Sequence, residues 1–380
     1  MIYLDSAATT LQKPESVAKA VGRAVTTLAS PGRGGHKASM HAAEVAYACR
    51  EAAAELFAVP DPTQIVFTFN ATHALNIAIK SKVSPGDRVV ISGYEHNSVT
   101  RPLQAIGAEI IVARSALFCK KSAIRAFEEA LTADTKLAVL NHVSNVFGAI
   151  LPAEEIAAMC RARRIPLILD ASQSAGVLEI NASELDADFI AMPGHKGLYG
   201  PQGTGLLICK LADSPIRTLI EGGTGSESRR LDMPETLPDR LEVGTHNMPG
   251  ICGLLEGIDF VKTHRERILH HECTLLQRTL NGLRTMPGLH IYESPQAQEQ
   301  TGVLSFRDPG IDVECIAQAL GESDVAVRAG CHCAPLTHES AGTLEIGTVR
   351  VSFSVFNTEQ EVDRFLSIFA HVRKRLRKSE

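Results

Sequence analysis

The stretch Ile165–Gly205, IPLILDASQSAGVLEINASELDADFIAMPGHKGLYGPQGTG, carries the pattern that sets the fold class. An apolar run, Ile165 to Leu169, ends on Asp170. A second, Phe189 to Met192, ends on Pro193, Gly194, His195 and Lys196. Short apolar runs of this kind predict strands buried on both faces. Each run would deliver one polar group to the same edge of a sheet. On this pair alone, a strand-end salt bridge between Asp170 and Lys196 is the commoner outcome. The alternative is a cofactor with a cationic ring nitrogen at one end and an aldehyde at the other, held by the carboxylate and the amine. Pyridoxal phosphate (PLP) is such a group.

Upstream, strands predicted over 65–69, 88–92, 109–113 and 137–141 alternate with helices over 71–81, 122–131 and 154–163. This alternation implies an α/β protein with a mainly parallel sheet covered on both faces. Ligands of such sheets lie outside the carboxyl ends of the strands. The polar groups collected there are Thr72, His96, Asn145, Asp170, Gln173, His195 and Lys196. Asn70-Ala71-Thr72-His73 carries a strand into a helix N-terminus, which suits either a phosphate or plain N-capping. Residues 1–14 read as an extended arm, 16–28 and 41–57 as helices. Between these helices, SPGRGGHKASM carries Arg33 and His36, either folded over a ligand or loose at the surface.

Downstream, 226–240 is polar with Pro234 and Pro238 and reads as a mobile loop. A helix over 248–265 follows EVGTHN. The texture then changes. A long helix runs to about Met286, followed by strands over 289–292, 303–307, 325–328 and 348–352. Helices cover 312–320 and 358–375, with a loop over 329–343. The expected organisation is a large domain, 15–261, and a smaller α+β domain formed by 1–14 with 262–380. The basic tail, Arg373 to Lys378, reads as a solvated helix end.

The chain has 380 residues, 44% hydrophobic and 21% charged, with a net charge of −5 and both signs mixed along its length. That balance argues against nucleic acid as a partner. No apolar run is long enough for a bilayer and the N-terminus lacks a signal-peptide pattern, so a cytoplasmic location is expected. Of nine cysteines, Cys49, Cys160 and Cys209 sit in apolar contexts and read as small hydrophobes. Cys331 and Cys333 flank His332 after a glycine. A lone CHC without further ligands nearby predicts no metal site. Glycine clusters at 200–205 and 222–225 lack the spacing of a dinucleotide or P-loop fingerprint.

With these residues in place, the chain resembles the class V aminotransferase family, within it the cysteine desulfurase and selenocysteine lyase group. The likeness rests on eight blocks in order: YLDSAATT, YEHNS, HVSNVFG, DASQS, GHKGLYGPQGTG, EVGTHN, VRAGCHCAP and VRVSFSVFNTEQEVD. The resemblance implies a type I PLP-dependent transferase fold and a homodimer with active sites at the subunit interface. It implies Lys196 as the Schiff-base lysine, Asp170 on the pyridinium nitrogen and His96 stacked on the ring. Gln173 would meet the ring oxygen with Asn145 beside it, and Thr72 and His195 would hold the phosphate. Thr245 would reach the phosphate in the other subunit. Arg350 would clamp the substrate carboxylate, and Arg328, Arg33 and His36 would line the entrance. Cys333 would accept sulfur, with Arg328 or His332 lowering its thiol pKa and His96 moving the substrate thiol proton. The implied reaction converts L-cysteine to L-alanine with a persulfide on Cys333. L-selenocysteine is the alternative substrate, a persulfide-relay protein with a vestigial PLP site the alternative role, and a sulfur-acceptor protein the implied partner. Three positions depart from the family pattern: Asn70-Ala71 where Gly-Thr is common, Pro193 for a serine, and Cys331 for a histidine or aliphatic residue.

Overall fold

The strands in chain order are β1 (Ile2–Tyr3), β2 (Ile65–Thr68), β3 (Arg88–Ser92), β4 (Glu109–Ala113), β5 (Thr135–Asn141), β6 (Leu167–Asp170), β7 (Phe189–Pro193), β8 (Gly205–Cys209), β9 (His290–Tyr292), β10 (Val303–Arg307), β11 (Val325–Ala326), β12 (Arg328–Gly330) and β13 (Thr348–Ser352). The helices are α1 (Glu15–Thr27), α2 (Lys37–Leu56), α3 (Ala71–Lys82), α4 (Asn97–Ile106), α5 (Lys120–Ala130), α6 (Ala153–Ala162), α7 (Ala182–Leu185), α8 (Met248–Arg284), α9 (Val313–Glu322), α10 (Pro335–Ala341) and α11 (Glu359–Leu376). This is a computed structural model, and it describes residues 1–32, 34–210 and 216–378.

A seven-stranded sheet has the order β2-β8-β7-β6-β5-β3-β4. Strands β3 to β7 pair in parallel, and β8 runs antiparallel to both neighbours. Successive side chains on a strand point to opposite faces, and here both faces are buried. Val90, Leu140, Leu169, Ile190 and Leu206 join a cluster with α2, α6 and the start of α8. Val89, Ile91, Val139, Ile168, Ala191 and Leu207 join another with α3 and α4. This double burial is why the strands read as continuous apolar runs.

A four-stranded antiparallel sheet, β12-β13-β10-β9, packs with α9, α11 and the end of α8 around Leu304, Phe306, Val349, Val351, Phe365 and Phe369. The N-terminal arm joins it: β1 pairs in parallel with β11, and Asp5 bridges Ser352.

Several expectations need correction. The helices predicted over 248–265 and onward to 286 are one helix of 37 residues, roughly 55 Å long at 1.5 Å per residue. It crosses position 262 without a break, with Leu254 and Ile258 in the first cluster and Leu275 to Leu283 in the C-terminal one. The strand expected over 325–328 is two strands in two sheets, and the expected loop 329–343 contains β12 and α10. The tail is not simply solvated: Arg373 is buried and, with Arg377, pairs with the buried Asp308. Residues 226–240 form no helix or strand.

Candidate active site

The parallel register sets Asn141 and Asp170, the last residues of β5 and β6, side by side with Ala191 in the middle of β7. Lys196 follows β7 by three residues. The loops after β6 and β7 lock together through two glycines. A Cβ on Gly176, whose φ is +86°, would lie 2.1 Å from the Gly197 carbonyl oxygen, and one on Gly197 would lie 2.4 Å from that of Ala175. Gly257 on α8 makes a similar approach, with its Cβ position 2.2 Å from the Leu198 oxygen. Backbone packed this closely on both sides holds the Lys196 segment over Asp170.

Asp170 is 2% exposed, and its Oδ1 accepts the Ser172 N–H at 2.9 Å. Behind it lies Glu95, fully buried. Glu95 Oε1 takes the Ser92 hydroxyl and the Asn141 N–H, while Oε2 has no partner. Burial pushes the Glu95 carboxyl up to about 8. Burial pulls the Lys196 amine down to about 8, opposed by Asp170 and reinforced by Arg350 and Arg328. Among the described residues no hydrogen bond or ion pair holds its Nζ.

His96 caps α4, its Nδ1 accepting from the Ser98 N–H at 3.0 Å and lying 2.8 Å from Ser98 Oγ. Ser98 Oγ in turn lies 2.8 Å from Thr72 Oγ1. Burial, with the Lys196 charge, pushes His96 down to about 4, so the ring is neutral. Thr72 stands in the first turn of α3, where Asn70 Oδ1 caps His73 N at 2.9 Å. The capping reading is therefore correct for Asn70, and the Ala71 and Thr72 N–H groups of that same first turn remain for an anion. His195 is also neutral, pushed to about 4 by burial and by Lys196 and Lys13; its Nδ1 meets Thr9 Oγ1 at 3.0 Å. Gln173 Nε2 donates to the Ala7 carbonyl at 2.9 Å.

Arg328 and Arg350 are register partners on β12 and β13. Asp5 joins them, its Oδ1 2.7 Å from Arg350 Nη2 and its Oδ2 3.1 Å from Arg328 Nε. Arg350, 2% exposed, also donates through Nη1 to the Asn145 carbonyl at 2.8 Å, while its Nε has no partner.

Cys333 sits in a tight turn. Ala334 N–H donates to the Cys331 carbonyl at 2.9 Å, and His332 and Cys333 have φ of +49° and +57°. Positive φ at both central positions is the type I′ geometry, usually left to Gly and Asn. The turn is pinned to the sheet edge by Asn97 N–H on the Cys333 carbonyl, 2.8 Å, and by Asn145 Nδ2 on the His332 carbonyl, 2.9 Å. His332 points inward, with Nε2 3.1 Å from the Thr348 carbonyl, and burial drives it down to about 2. The expectation that His332 could supply positive charge to the thiol is corrected: the ring is neutral.

Two expected residues stand elsewhere. His36 caps α2 through Nδ1 to the Ser39 N–H. Thr245 lines a cavity with Phe69, His73 and Gly203, and shares a larger one of about 650 Å³ with Ser30, Tyr47, Arg50 and Gly223. Among the described residues no hydrogen bond links either to the Lys196 group. Arg33 lies outside the described residues. Among the described residues no group of three or more His, Cys, Asp or Glu is placed to hold a metal. No described helix is long and apolar enough to cross a membrane. Cys49, Cys160 and Cys209 are buried, and burial raises their thiols.

Sequence reasoning missed Asp5, Ser98 and Glu95. Ser98 follows His96 by two residues at a helix start, a capping signal that was available. Asp5 meets a residue 345 positions away, and no local pattern marks it.

A seven-stranded sheet of this order, with an aspartate and a lysine at adjoining strand ends and an arginine facing them from a second sheet, is the plan of a type I PLP-dependent transferase. The chain belongs to the aminotransferase class-V family, whose profile matches residues 2–365. Among curated relatives, it is 32% identical to a probable cysteine desulfurase of Pyrococcus abyssi, over 100% of this chain and 96% of that one. It is 33% identical to another of Xylella fastidiosa, over 99% and 92%. Among solved structures, a cysteine desulfurase from Thermococcus onnurineus superposes with a TM-score of 0.88 at 31% identity, covering 98% of this chain and 95% of that one. One from Escherichia coli gives 0.86 at 26% identity, covering 99% and 95%.

Proposed function

We propose that this chain is a PLP-dependent cysteine desulfurase that converts L-cysteine to L-alanine and takes the sulfur onto Cys333. The observation that carries this is the docking of the Cys333 turn, through Asn97 and Asn145, onto the edge that bears Asp170 and Lys196. The residues present fit the cofactor. A buried carboxylate stands at the strand end, an amine has no hydrogen bond or ion pair among the described residues, and a neutral histidine feels the charge of both. The family's lost hydroxyl at Ala71 is offset by Ser98, which sets a second hydroxyl beside Thr72. Asn145 Oδ1, buried without a partner, awaits a donor such as the ring hydroxyl.

When bound, PLP supplies an electron sink for negative charge at the substrate Cα. Asp170 would keep a proton on the ring nitrogen, since an opposite charge favours the cationic form. Lys196 would carry the aldehyde and, once displaced, take the Cα proton. Arg350 is held in place by Asp5 and Asn145, which leaves its unpartnered Nε for the substrate carboxylate. His96, neutral and accepting the Ser98 N–H at Nδ1, carries its proton on Nε2 and would meet the substrate sulfur there as a hydrogen-bond donor. Cys333, as thiolate, would attack the substrate sulfur.

In this reading the active enzyme is a cytoplasmic homodimer. Thr245 serves the phosphate of the second subunit's cofactor, and His36 lines the substrate entrance. The large domain is 15–261 and the small one 1–14 with 262–380, as the separate apolar clusters suggest. The test is a visible spectrum with alanine assays on L-cysteine and L-selenocysteine. Absorbance above 400 nm, on the order expected for a lysine-bound PLP aldehyde, with alanine from L-cysteine supports it. Alanine from L-selenocysteine alone makes the protein a selenocysteine lyase. A colourless protein after incubation with PLP overturns the assignment.

A further inference from the structure

The turn that holds Cys333 exposes two thiols. Along Cys331-His332-Cys333 the side chains alternate out, in, out: both cysteines are exposed and His332 is buried. Cα atoms two residues apart lie within about 7 Å even when the chain is extended, and this segment is a closed turn with a 2.9 Å bond from Ala334 N–H to the Cys331 carbonyl. Both cysteines are free thiols. Their anchoring differs. Cys333 has its carbonyl on Asn97, next to His96, whereas Cys331 directs its Sγ to the Leu344 carbonyl at 3.6 Å, on the side of the 343–347 loop. His332 does not bridge them: its Nε2 is committed to Thr348 and its ring is turned inward.

We infer that Cys331 is a second sulfur carrier, which takes the outer sulfur from a Cys333 persulfide and presents it at the surface. The inference rests on the proposed desulfurase reading of Cys333. The Cys331 thiolate attacks the terminal sulfur of the Cys333 persulfide. A bond forms between Cys331 Sγ and that sulfur, the Cys333 Sγ–S bond breaks, and its electron pair leaves on Cys333 Sγ. The proton lost by Cys331 is returned to Cys333 through solvent. One thiol and one persulfide exchange places, so no oxidant or reductant is consumed. A terminal sulfur stands about 2 Å beyond Sγ, which brings it toward the neighbouring thiol. Attack on the inner sulfur would instead expel hydrosulfide and close a Cys331–Cys333 disulfide, a cross-link between residues only two apart.

The consequence is a count. With L-cysteine and no reductant, transfer empties Cys333 for a second turnover. The PLP-loaded wild-type protein then gives a burst of about two alanines per chain, against about one for Cys331→Ser, a twofold difference. Tandem mass spectrometry of the alkylated peptide should find one added sulfur on Cys331 as well as on Cys333 in the wild type. Equal bursts in the two proteins, with sulfur on Cys333 only, overturn the inference. So do two added sulfurs on Cys333 alone, or hydrosulfide release with a Cys331–Cys333 disulfide. Failure of the underlying reading looks different: no alanine burst at all, or an undiminished burst from Cys333→Ala.

Discussion

Asp170 ends β6 and Lys196 follows β7 by three residues, and the two strands are paired in register. Cys333 stands in a turn that keeps two non-glycine residues at positive φ. The first pair is held by a ladder and by glycines packed backbone to backbone. The second is held by hydrogen bonds from Asn97 and Asn145 and by the His332 ring nitrogen on the Thr348 carbonyl. The contrast suits the chemistry proposed for each. A ring nitrogen and an aldehyde need two fixed points, whereas a thiol that gains and loses a sulfur atom needs an exposed position. Strained backbone at a functional site persists because its surroundings over-determine it.

If the rigid edge carries the cofactor, Lys196→Ala should have the largest effect. Turnover should fall by about 10³ or more, in line with loss of a positioned acid–base group, and the lysine-linked absorbance should vanish. Retained activity would mean that the edge is only structural. The same edge predicts a pH profile. Only a neutral amine adds to an aldehyde, and Lys196 is pulled to about 8 from 10.5. The rate of PLP uptake by cofactor-free protein should therefore rise about tenfold per pH unit and level off above about 8. Between about 8 and 10.5 the unfolded chain binds more protons at this lysine than the folded one, so folding stability gains with pH across that window.

The turn can be probed separately. Asn145→Ala removes the donor on the His332 carbonyl, and leaving a buried carbonyl unpaired costs about 1 kcal/mol or more. Turnover should fall about fivefold, and alkylation of Cys333 in cofactor-free protein should quicken as the turn loosens. An unchanged alkylation rate would show that Asn145 does not hold the turn. The smallest effect concerns strain alone. Cys333→Gly should be about 1 kcal/mol more stable than Cys333→Ala, because only glycine adopts positive φ without penalty, and thermal melts compare the two directly. Neither variant should form a persulfide.

Legibility in the sequence follows the same division. Strands β3, β4, β10 and β13 fall where the apolar runs place them. Their burial needs no information beyond neighbouring residues. The 37-residue α8 reads as two helices because the polar stretch around His264–Glu266 interrupts its apolar stripe where it passes between the two clusters. Helix α10 begins on Pro335 and buries Thr337 and His338 instead of an apolar face, so no periodicity announces it. Strand β8 follows a glycine-rich lead-in that resembles a loop. At the site, residues at strand ends could be found from position. Asp5 could not, because its role exists only where the N-terminal arm meets β13.

The most direct test loads wild-type protein and Cys333→Ala with PLP, adds L-cysteine without reductant, and measures alanine together with the mass of the 329–350 segment. The account predicts alanine and an added sulfur in the wild type. In Cys333→Ala it predicts the cofactor band intact but neither alanine at the wild-type rate nor added sulfur. Full-rate alanine from Cys333→Ala would contradict it.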